Sequence, residues 1–333
     1  MIIDSHAHVQ MPPECYRYMS ELVGGRANPT ATPKIPDASV RTAAENTLKI
    51  MDSVGTDVQL ISPRPYIQLH SLRPAAVTQH WTRFVNDIIA RQAALFPDRI
   101  KGVAGLPQHR LESPAVHCVA ELERCVKELG FVGTLINPDP TEGDEAPPPG
   151  LGDPFWHPLY EKMCELDVPA LIHSASSCQP RESYTLKFIN EESIAIVSML
   201  ESGLFERFPK LKIVVPHGGG AIPYQMGRFR AWSSRRGETT SFDDKLKQLY
   251  FDTAIYSKES IEFLLRIVGT ANVLFGTEKP GTGSAPNRET GRDYDDLKPV
   301  IESIDWLSPQ DREAIFAANA AGLYRLDPAS KKG

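Results

Sequence analysis

Four of the nine histidines and one glutamate stand where short apolar segments end: His6, His8, His173, His217 and Glu278. Imidazole and carboxylate groups are the ligands that zinc and similar ions take in proteins. In an extended segment, residues i and i+2 project to the same side, so His6 and His8 can occupy neighbouring positions around one ion. A metal site completed by His173 and Glu278 would make water a nucleophile at neutral pH.

The His-x-His spacing by itself is weak, because two histidines near the end of a strand are as often ordinary solvated loop residues. Matching histidines after the fifth and sixth strand-like segments favour the metal site over that interpretation. His217 has an alternative of its own, which is to cap the glycine turn Gly218–Gly220 that follows it.

The elements that would position these residues are eight short β-branched segments, most of them followed by a segment of helical periodicity. The strand-like segments cover residues 2–3, 58–61, 100–106, 131–136, 168–172, 211–215, 250–253 and 272–275. Helix candidates cover residues 42–54, 78–95, 113–129, 153–166 and 257–268. The alternation predicts parallel strands joined by helical crossovers.

Two α/β architectures fit this alternation: an open doubly wound sheet and a closed barrel. The first strand is followed by Asp4-Ser5-His6-Ala7-His8 and not by the G-x-G-x-x-G turn of a dinucleotide fold, which favours the barrel. We predict a distorted (β/α)8 TIM barrel, a single domain over residues 1–333, with a Pro/Gly-rich loop at about 138–154. Residues at the carboxyl ends of its strands would meet at one mouth.

Composition narrows the classes of partner. The 333-residue chain has 36 Lys and Arg against 42 Asp and Glu, a formal charge of −6, which argues against binding to nucleic acid or anionic membranes. No apolar run approaches the roughly 18 residues of a membrane span. Asp4 stands where a signal peptide would be basic, and the five cysteines form no C-x-x-C, so we expect a cytoplasmic protein.

Several motifs together resemble one known family. Near its start the sequence reads Ile-Ile-Asp-Ser-His-Ala-His, and a later strand-like segment ends at His173. Two further motifs follow, Val-Val-Pro-His217-Gly-Gly-Gly and Leu-Phe-Gly-Thr-Glu278. This set is similar to the amidohydrolase superfamily, in its amidohydrolase-2 branch, which contains aminocarboxymuconate semialdehyde decarboxylase. The resemblance implies a single divalent ion, zinc with manganese or iron as alternatives, held by His6, His8, His173 and Glu278.

Most of that branch has Asp where this chain has Glu278. Glu278-Lys279-Pro280, with the His217-Gly-Gly-Gly-Ala-Ile-Pro-Tyr-Gln turn, is most similar to the hydratases of the branch that act on 4-oxalomesaconate. The resemblance implies a hydro-lyase of the protocatechuate 4,5-cleavage pathway that forms 4-carboxy-4-hydroxy-2-oxoadipate. The alternatives are a non-oxidative decarboxylase of an aminocarboxymuconate- or hydroxybenzoate-like acid, a hydrolase of lactones or C–C bonds, and an inactive scaffold.

Hydration of a conjugated keto acid assigns roles to these residues. Glu278 would take a proton from the attacking water, on the metal or beside it, and His217 would be the acid or the donor to the enolate. A small polycarboxylate substrate needs polar partners at the mouth, for which we predict Lys279, Arg181, Arg64, Asn137 and Tyr184; Asn137, in Asn-Pro, could equally begin a turn. Asp4 and Ser5 would support the metal histidines. We also expect a homodimer.

Overall fold

Eight parallel strands follow one another in chain order around a barrel. The computed structural model describes residues 1–28, 31–141, 148–175, 179 and 181–327. The strands are β1 Ile3–His8, β2 Val58–Ser62, β3 Ile100–Ala104, β4 Gly133–Ile136, β5 Ala170–Ile172, β6 Ile213–Val215, β7 Tyr250–Asp252 and β8 Val273–Leu274. The predicted (β/α)8 architecture is confirmed.

Helices connect the strands and surround them. They are α1 Pro13–Val23, α2 Asp37–Val54, α3 Ala75–Leu95, α4 Pro114–Lys127, α5 His157–Leu166, α6 Tyr184–Glu201, α7 Leu204–Arg207, α8 Met226–Arg235, α9 Phe242–Leu246, α10 Lys258–Val268, α11 Lys298–Glu302, α12 Pro309–Glu313 and α13 Asn319–Tyr324. Gly55 ends α2 with a φ of 74°, the left-handed conformation that the sequence indicates there. None of the described helices is both long and apolar enough to cross a bilayer.

The ring closes between β8 and β1 through a few backbone hydrogen bonds. The amide of Ser5 donates to the carbonyl of Phe275 over 2.9 Å, and the amide of Glu278 donates to the carbonyl of His6 over 2.7 Å. β1 runs to His8, so both histidines lie inside the strand and not in the loop after it. The register of β1 against β2 shifts between Asp4 and Ala7, an irregularity that re-aims side chains at this point.

The barrel interior is apolar away from the mouth. Most strands contribute one or two side chains to a core cluster that also contains residues of α13 and of the turn before it. Its members are Ile3, Val58, Leu60, Val103, Leu135, Leu171, Val214, Leu274, Ala317, Ala320, Leu323 and Tyr324. Two larger clusters pack the outer helices against the strands. The side chains of α13 thus fill the barrel together with those of the strands, beneath the polar residues at the carboxyl ends of the strands.

Candidate metal centre

Three imidazoles converge at the mouth of the barrel. The ring of His6 lies 5.3 Å from that of His8 and 5.0 Å from that of His173, measured between centroids. The Nε2 atoms of all three are buried, and none has a hydrogen-bond partner within the described part of the chain. A buried polar atom without a partner is costly, so three of them facing one point indicate a ligand that the protein is built to hold.

The other ring nitrogen of each histidine is occupied, which orients the imidazole. Nδ1 of His6 lies 2.6 Å from Oδ2 of Asp252, Nδ1 of His8 lies 2.9 Å from Oγ of Ser62, and Nδ1 of His173 lies 2.8 Å from the carbonyl oxygen of Ser174. Donation from Nδ1 leaves a lone pair on Nε2, the arrangement found around metal-binding histidines.

Burial also keeps two of these imidazoles neutral. It lowers the pKa of His6, and it lowers the pKa of His8 to about 3. A metal-binding histidine must be deprotonated, so the environment favours the form that can bind an ion.

Glu278 presents its two carboxylate oxygens to different neighbours. Oε1 lies 3.8 Å from Nε2 of His8 and 3.7 Å from Nε2 of His173, while Oε2 lies 3.8 Å from Nε2 of His217. These distances are too long for hydrogen bonds and near the separation of about 3.4 Å expected between ligands around a tetrahedral zinc ion. Burial alone would raise the pKa of Glu278, but the imidazoles of His173, His217 and His8 hold it well below its usual range.

His217 is held by a second carboxylate. Its Nδ1 lies 2.9 Å and 3.0 Å from the two oxygens of Glu192, a fully buried residue of α6. Burial opposes a charge on His217, but the carboxylates of Glu192 and Glu278 raise its pKa well above the ordinary value. The imidazole is therefore oriented with Nε2 towards the centre and is favoured in its protonated form.

The backbone at this site has an uncommon conformation. His217, Tyr256 and Glu278 have φ values of 50°, 61° and 59°, in the left-handed region that residues other than glycine seldom adopt. Glycine makes close packing possible next to Glu278: a Cβ at Gly281 would lie 2.3 Å from the Glu278 carbonyl oxygen and 3.0 Å from its Cδ. Such strain persists where the surrounding structure demands it, and it clusters at functional sites.

The donor set fits a divalent cation. One ligand atom from each of His6, His173, His217 and Glu278 lies within 4.8 Å of the others. This set contains His217, whereas the predicted ligands include His8, whose free Nε2 also faces Glu278. The predicted ligand set leaves His217, whose Nδ1 is bound to Glu192, free for proton transfer. Because the two sets differ in one histidine, the identity of the ligands stays a prediction. Imidazole and carboxylate together suit zinc, manganese and iron.

Asp4 and Ser5 support the site through the backbone and not through the imidazoles. Asp4 accepts hydrogen bonds from the amide and hydroxyl of Thr277 at 3.0 Å and 2.7 Å and from Nε2 of Gln59 at 3.1 Å. Burial raises the pKa of Asp4 to about 6. Ser5 bonds the carbonyl oxygen of Phe275 with both its amide and its hydroxyl. Both residues thus connect β1 to the segment from Phe275 to Glu278, which follows β8.

Two cavities meet above Glu278, and we name them by the residues that line them. The polar arm, about 590 Å³, is lined mainly by polar and aromatic side chains: His8, Tyr16, Arg64, Tyr66, His173, Tyr184, Phe188 and Thr282. The apolar arm, about 560 Å³, adjoins His217 and is lined mainly by Phe188, Ile189, Pro223, Ile255, Phe263 and Leu264. Glu278 borders both arms, so either one gives access to the same carboxylate.

The predicted substrate-binding residues divide between the mouth and other positions. Arg64, half-buried, and Tyr184 line the polar arm. Arg181 is exposed and lines neither arm as the structure describes it.

Lys279 and Asn137 are engaged by the protein itself. Nζ of Lys279 lies 2.6 Å from Oδ1 of the buried Asp295 and 2.8 Å from Oδ2 of Asp293, and Lys279 lines neither arm. Oδ1 of Asn137 accepts from the amides of Asp139 at 3.2 Å and Ala175 at 3.3 Å, so this residue begins a turn. Both would have to exchange these bonds in order to bind a substrate, and their role in substrate binding stays a prediction.

Three functional neighbours are missing from the residues predicted from the sequence: Asp252, Glu192 and Tyr256. Asp252 ends β7, so the rule of strand ends that selects the histidines would also have selected it. Glu192 lies on α6 and Tyr256 in the loop after β7, and neither has a local sequence signal. The other five histidines lie away from the centre. His70 contacts the Leu106 carbonyl oxygen and His80 the Tyr18 hydroxyl. His109 and His117 lie near Glu112, and the His157 ring packs on Phe208.

Comparison with known proteins identifies the family of the chain. Residues 3–326 match the Amidohydrolase (Amidohydro_2) family model. The chain is 38% identical to a 2-keto-4-carboxy-3-hexenedioate hydratase from Sphingobium sp. (strain NBRC 103272 / SYK-6), over 98% of this chain and 97% of that protein. The solved 4-oxalomesaconate hydratase from Rhodopseudomonas palustris is 35% identical, with a TM-score of 0.87, 98% of this chain covered and 96% of the other.

A more distant structure was solved with a bound metal ion. A dihydroxybenzoic acid decarboxylase from Polaromonas sp. JS666, solved with bound manganese and the inhibitor 2-nitroresorcinol, is 25% identical with a TM-score of 0.75. The comparison covers 98% of this chain and 97% of that one. The match of the family model over nearly the whole sequence, with the barrel and its histidine cluster, shows that this chain belongs to the amidohydrolase family, Amidohydro_2.

Proposed function

We propose that this protein is a metal-dependent hydratase that adds water to the C=C bond of 4-oxalomesaconate, giving 4-carboxy-4-hydroxy-2-oxoadipate. The observation that carries the proposal is the meeting of three orphaned imidazole nitrogens with Glu278, opposite the His217–Glu192 pair. The similarity to two hydratases over nearly the whole chain supports this substrate and reaction.

The residues that would hold the ion are His6, His8, His173 and Glu278, and we propose zinc as the ion. A divalent cation in such a site makes water available as a nucleophile at neutral pH. Imidazole nitrogen and carboxylate oxygen are both ligands that zinc takes in proteins, and manganese and iron accept the same donors. The support for this assignment is the free Nε2 of each of the three buried histidines.

Addition of water moves one proton from the nucleophile and delivers one to carbon. Glu278, held ionised by the imidazoles around it, accepts the proton of the attacking water. Hydroxide adds to one alkene carbon, the double-bond electrons pass into the carbonyl group that is conjugated with that bond, and an enolate forms, which is then protonated at carbon. His217, charged and anchored by Glu192, donates to that enolate or to its carbon.

The carboxylates of the substrate would occupy the polar arm. Arg64 is the one arginine or lysine among the described residues that line it, and the side chains of Tyr16, Tyr66 and Tyr184 border the same space. Arg64 would therefore bind a carboxylate at the end of the substrate away from Glu278. Because the chain has a net charge of −6, which repels an anionic ligand, binding of the substrate depends more strongly on such a local cation.

A decarboxylase acting on an aminocarboxymuconate- or hydroxybenzoate-like acid is the second candidate. The apolar arm favours it, because Phe188, Ile255 and Phe263 could pack against an aromatic ring whose carboxylate reaches Glu278 and His217. The likeness to the manganese-bound decarboxylase agrees with that possibility.

One assay separates the two functions. Metal-replete protein is incubated with 4-oxalomesaconate, and the conjugated absorbance is followed together with released carbon dioxide. We expect the absorbance to fall, one hydrated product to form, and no carbon dioxide to appear. Steady absorbance, with carbon dioxide released from 2,6-dihydroxybenzoate instead, would replace the hydratase with the decarboxylase.

Metal removal tests the centre itself. Chelated protein should lose turnover and regain it with one equivalent of zinc, and parallel samples with manganese and iron compare the alternatives. His173→Gln should lose both metal and activity, whereas the matched His157→Gln, whose ring packs on Phe208, should keep both. Full activity in metal-free protein would refute the metal-dependent mechanism.

Two further expectations stay predictions. Residues 142–147 of the Pro/Gly-rich loop lie outside the described residues. We propose a homodimer, which sedimentation equilibrium would test. We also propose a cytoplasmic location, which the four described cysteines, all unpaired, support.

A further inference from the structure

The two oxygens of Glu278 have unequal surroundings. Oε2 accepts a hydrogen bond of 2.8 Å from the hydroxyl of Tyr256, while Oε1 faces the imidazoles of His8 and His173 at 3.8 Å and 3.7 Å. A carboxylate that is free to rotate would exchange its two oxygens. The hydroxyl therefore distinguishes the oxygen that faces the free imidazole nitrogens from the one that does not.

Tyr256 is itself held firmly in place. It lies in the loop after β7 with a φ of 61°, a conformation that a tyrosine adopts only under constraint. A Cβ on Gly283 would lie 2.7 Å from the Tyr256 ring, so the loop after β8 packs directly against it. Asp252, four residues earlier in the chain, orients His6 through a hydrogen bond to its Nδ1. The end of β7 and the loop after it thus bond two of the proposed ligands, His6 and Glu278.

We propose that Tyr256 is a positioning residue that reserves Oε2 of Glu278, leaving Oε1 alone to bind the cation. The hydroxyl thereby fixes Glu278 as a ligand through one oxygen and keeps Oε2, which also faces His217, for the proton of the nucleophile. This inference rests on the metal-dependent function proposed above, but it concerns the geometry of the ion and not the identity of the substrate.

The test is Tyr256→Phe, which removes the hydroxyl and keeps the ring that packs against Gly283. Tyr160→Phe is the matched control, because the Tyr160 hydroxyl donates a buried hydrogen bond of 2.6 Å to the Leu151 carbonyl in the outer core. Both variants lose one buried hydroxyl, but only the first borders the centre. Circular dichroism checks that each is folded.

Metal retention is the first measurement. Zinc transfer to a colorimetric chelator is timed for both variants and the wild type, and visible spectra are recorded with cobalt(II) in place of zinc. We expect Tyr256→Phe to release zinc to the chelator about 10- to 100-fold faster, because loss of a residue that orients a ligand weakens metal binding by about this factor. We also expect its cobalt spectrum to differ from that of the wild type. Tyr160→Phe should match the wild type in both measurements.

Steady-state kinetics with 4-oxalomesaconate add a second measurement. At saturating zinc, we expect kcat of Tyr256→Phe to fall at least about 10-fold with KM little changed, since the reacting carboxylate is displaced and the substrate contacts remain. Wild-type zinc release and cobalt spectrum in Tyr256→Phe would overturn the inference. A wild type that binds no metal would instead refute the proposed centre, and a metal-bound wild type inactive on 4-oxalomesaconate would refute the substrate alone.

Discussion

His6 and Asp252 form a fully buried pair in which the imidazole Nδ1 lies 2.6 Å from a carboxylate oxygen. Asp252 also accepts from the amide of Ala254 at 3.1 Å, so its position is fixed by the loop after β7. The pair aims the free Nε2 of His6 at the centre, and it belongs to the carboxylate–histidine–metal arrangement that makes an imidazole a stronger ligand.

Substitution of Asp252 by Asn should weaken the centre without removing a ligand. Asn keeps the shape but not the charge, so we expect metal affinity or kcat to fall about 10- to 100-fold. Chelator competition and kcat measure the two effects. Asp167→Asn is the control, because Asp167 pairs with Lys212 near the surface and should leave both quantities unchanged. Equal metal affinity in the two variants would contradict the role of Asp252.

Glu278→Gln should abolish turnover while the substrate still binds. The amide cannot accept the proton of the nucleophile, and removal of such a base costs about 10²- to 10⁴-fold in rate. Substrate binding is measured by calorimetry on the metal-loaded variant, and kcat by the absorbance assay. Retained turnover would exclude Glu278 from the chemistry, and loss of metal together with turnover would show that it acts mainly as a ligand.

Lys279→Met should destabilise the protein more than it weakens substrate binding. The variant leaves the fully buried Asp295 without its cation, and breaking a buried pair from one side costs about 3–5 kcal/mol in the free energy of unfolding. Denaturant unfolding measures the loss, and Asp295→Asn should reproduce part of it with strong non-additivity in the double variant. A stable Lys279→Met protein with a much higher KM would restore the predicted substrate contact.

Arg64→Ala should raise KM and leave the fold intact. A charge-assisted hydrogen bond to a carboxylate contributes about 1.5–3 kcal/mol, so we expect a KM increase of roughly 10- to 100-fold. Arg181→Ala is the matched control: it removes an exposed arginine that lines neither arm and should leave KM unchanged. The reverse pattern would place the substrate carboxylate near Arg181.

The sequence was sufficient to predict the barrel architecture and the group of residues that could bind a metal ion or transfer a proton. Alternation of short apolar segments with helical periodicity predicts the barrel, and a barrel brings strand ends to one mouth, so His6, His8, His173, His217 and Glu278 are expected together. That rule is local, because it needs only the position of each residue relative to its own strand. The family match confirms the resemblance drawn from the same motifs.

The partners of those residues were decided by tertiary structure. Glu192 reaches His217 from a helix, and Tyr256 reaches Glu278 across a loop, over separations of 25 and 22 residues along the chain. Lys279 pairs with the buried Asp295, which has no other opposite charge beside it in the described structure, and it lines neither arm of the cavity there. Sequence spacing specifies where a strand ends, but packing of loops and helices determines which side chains meet there.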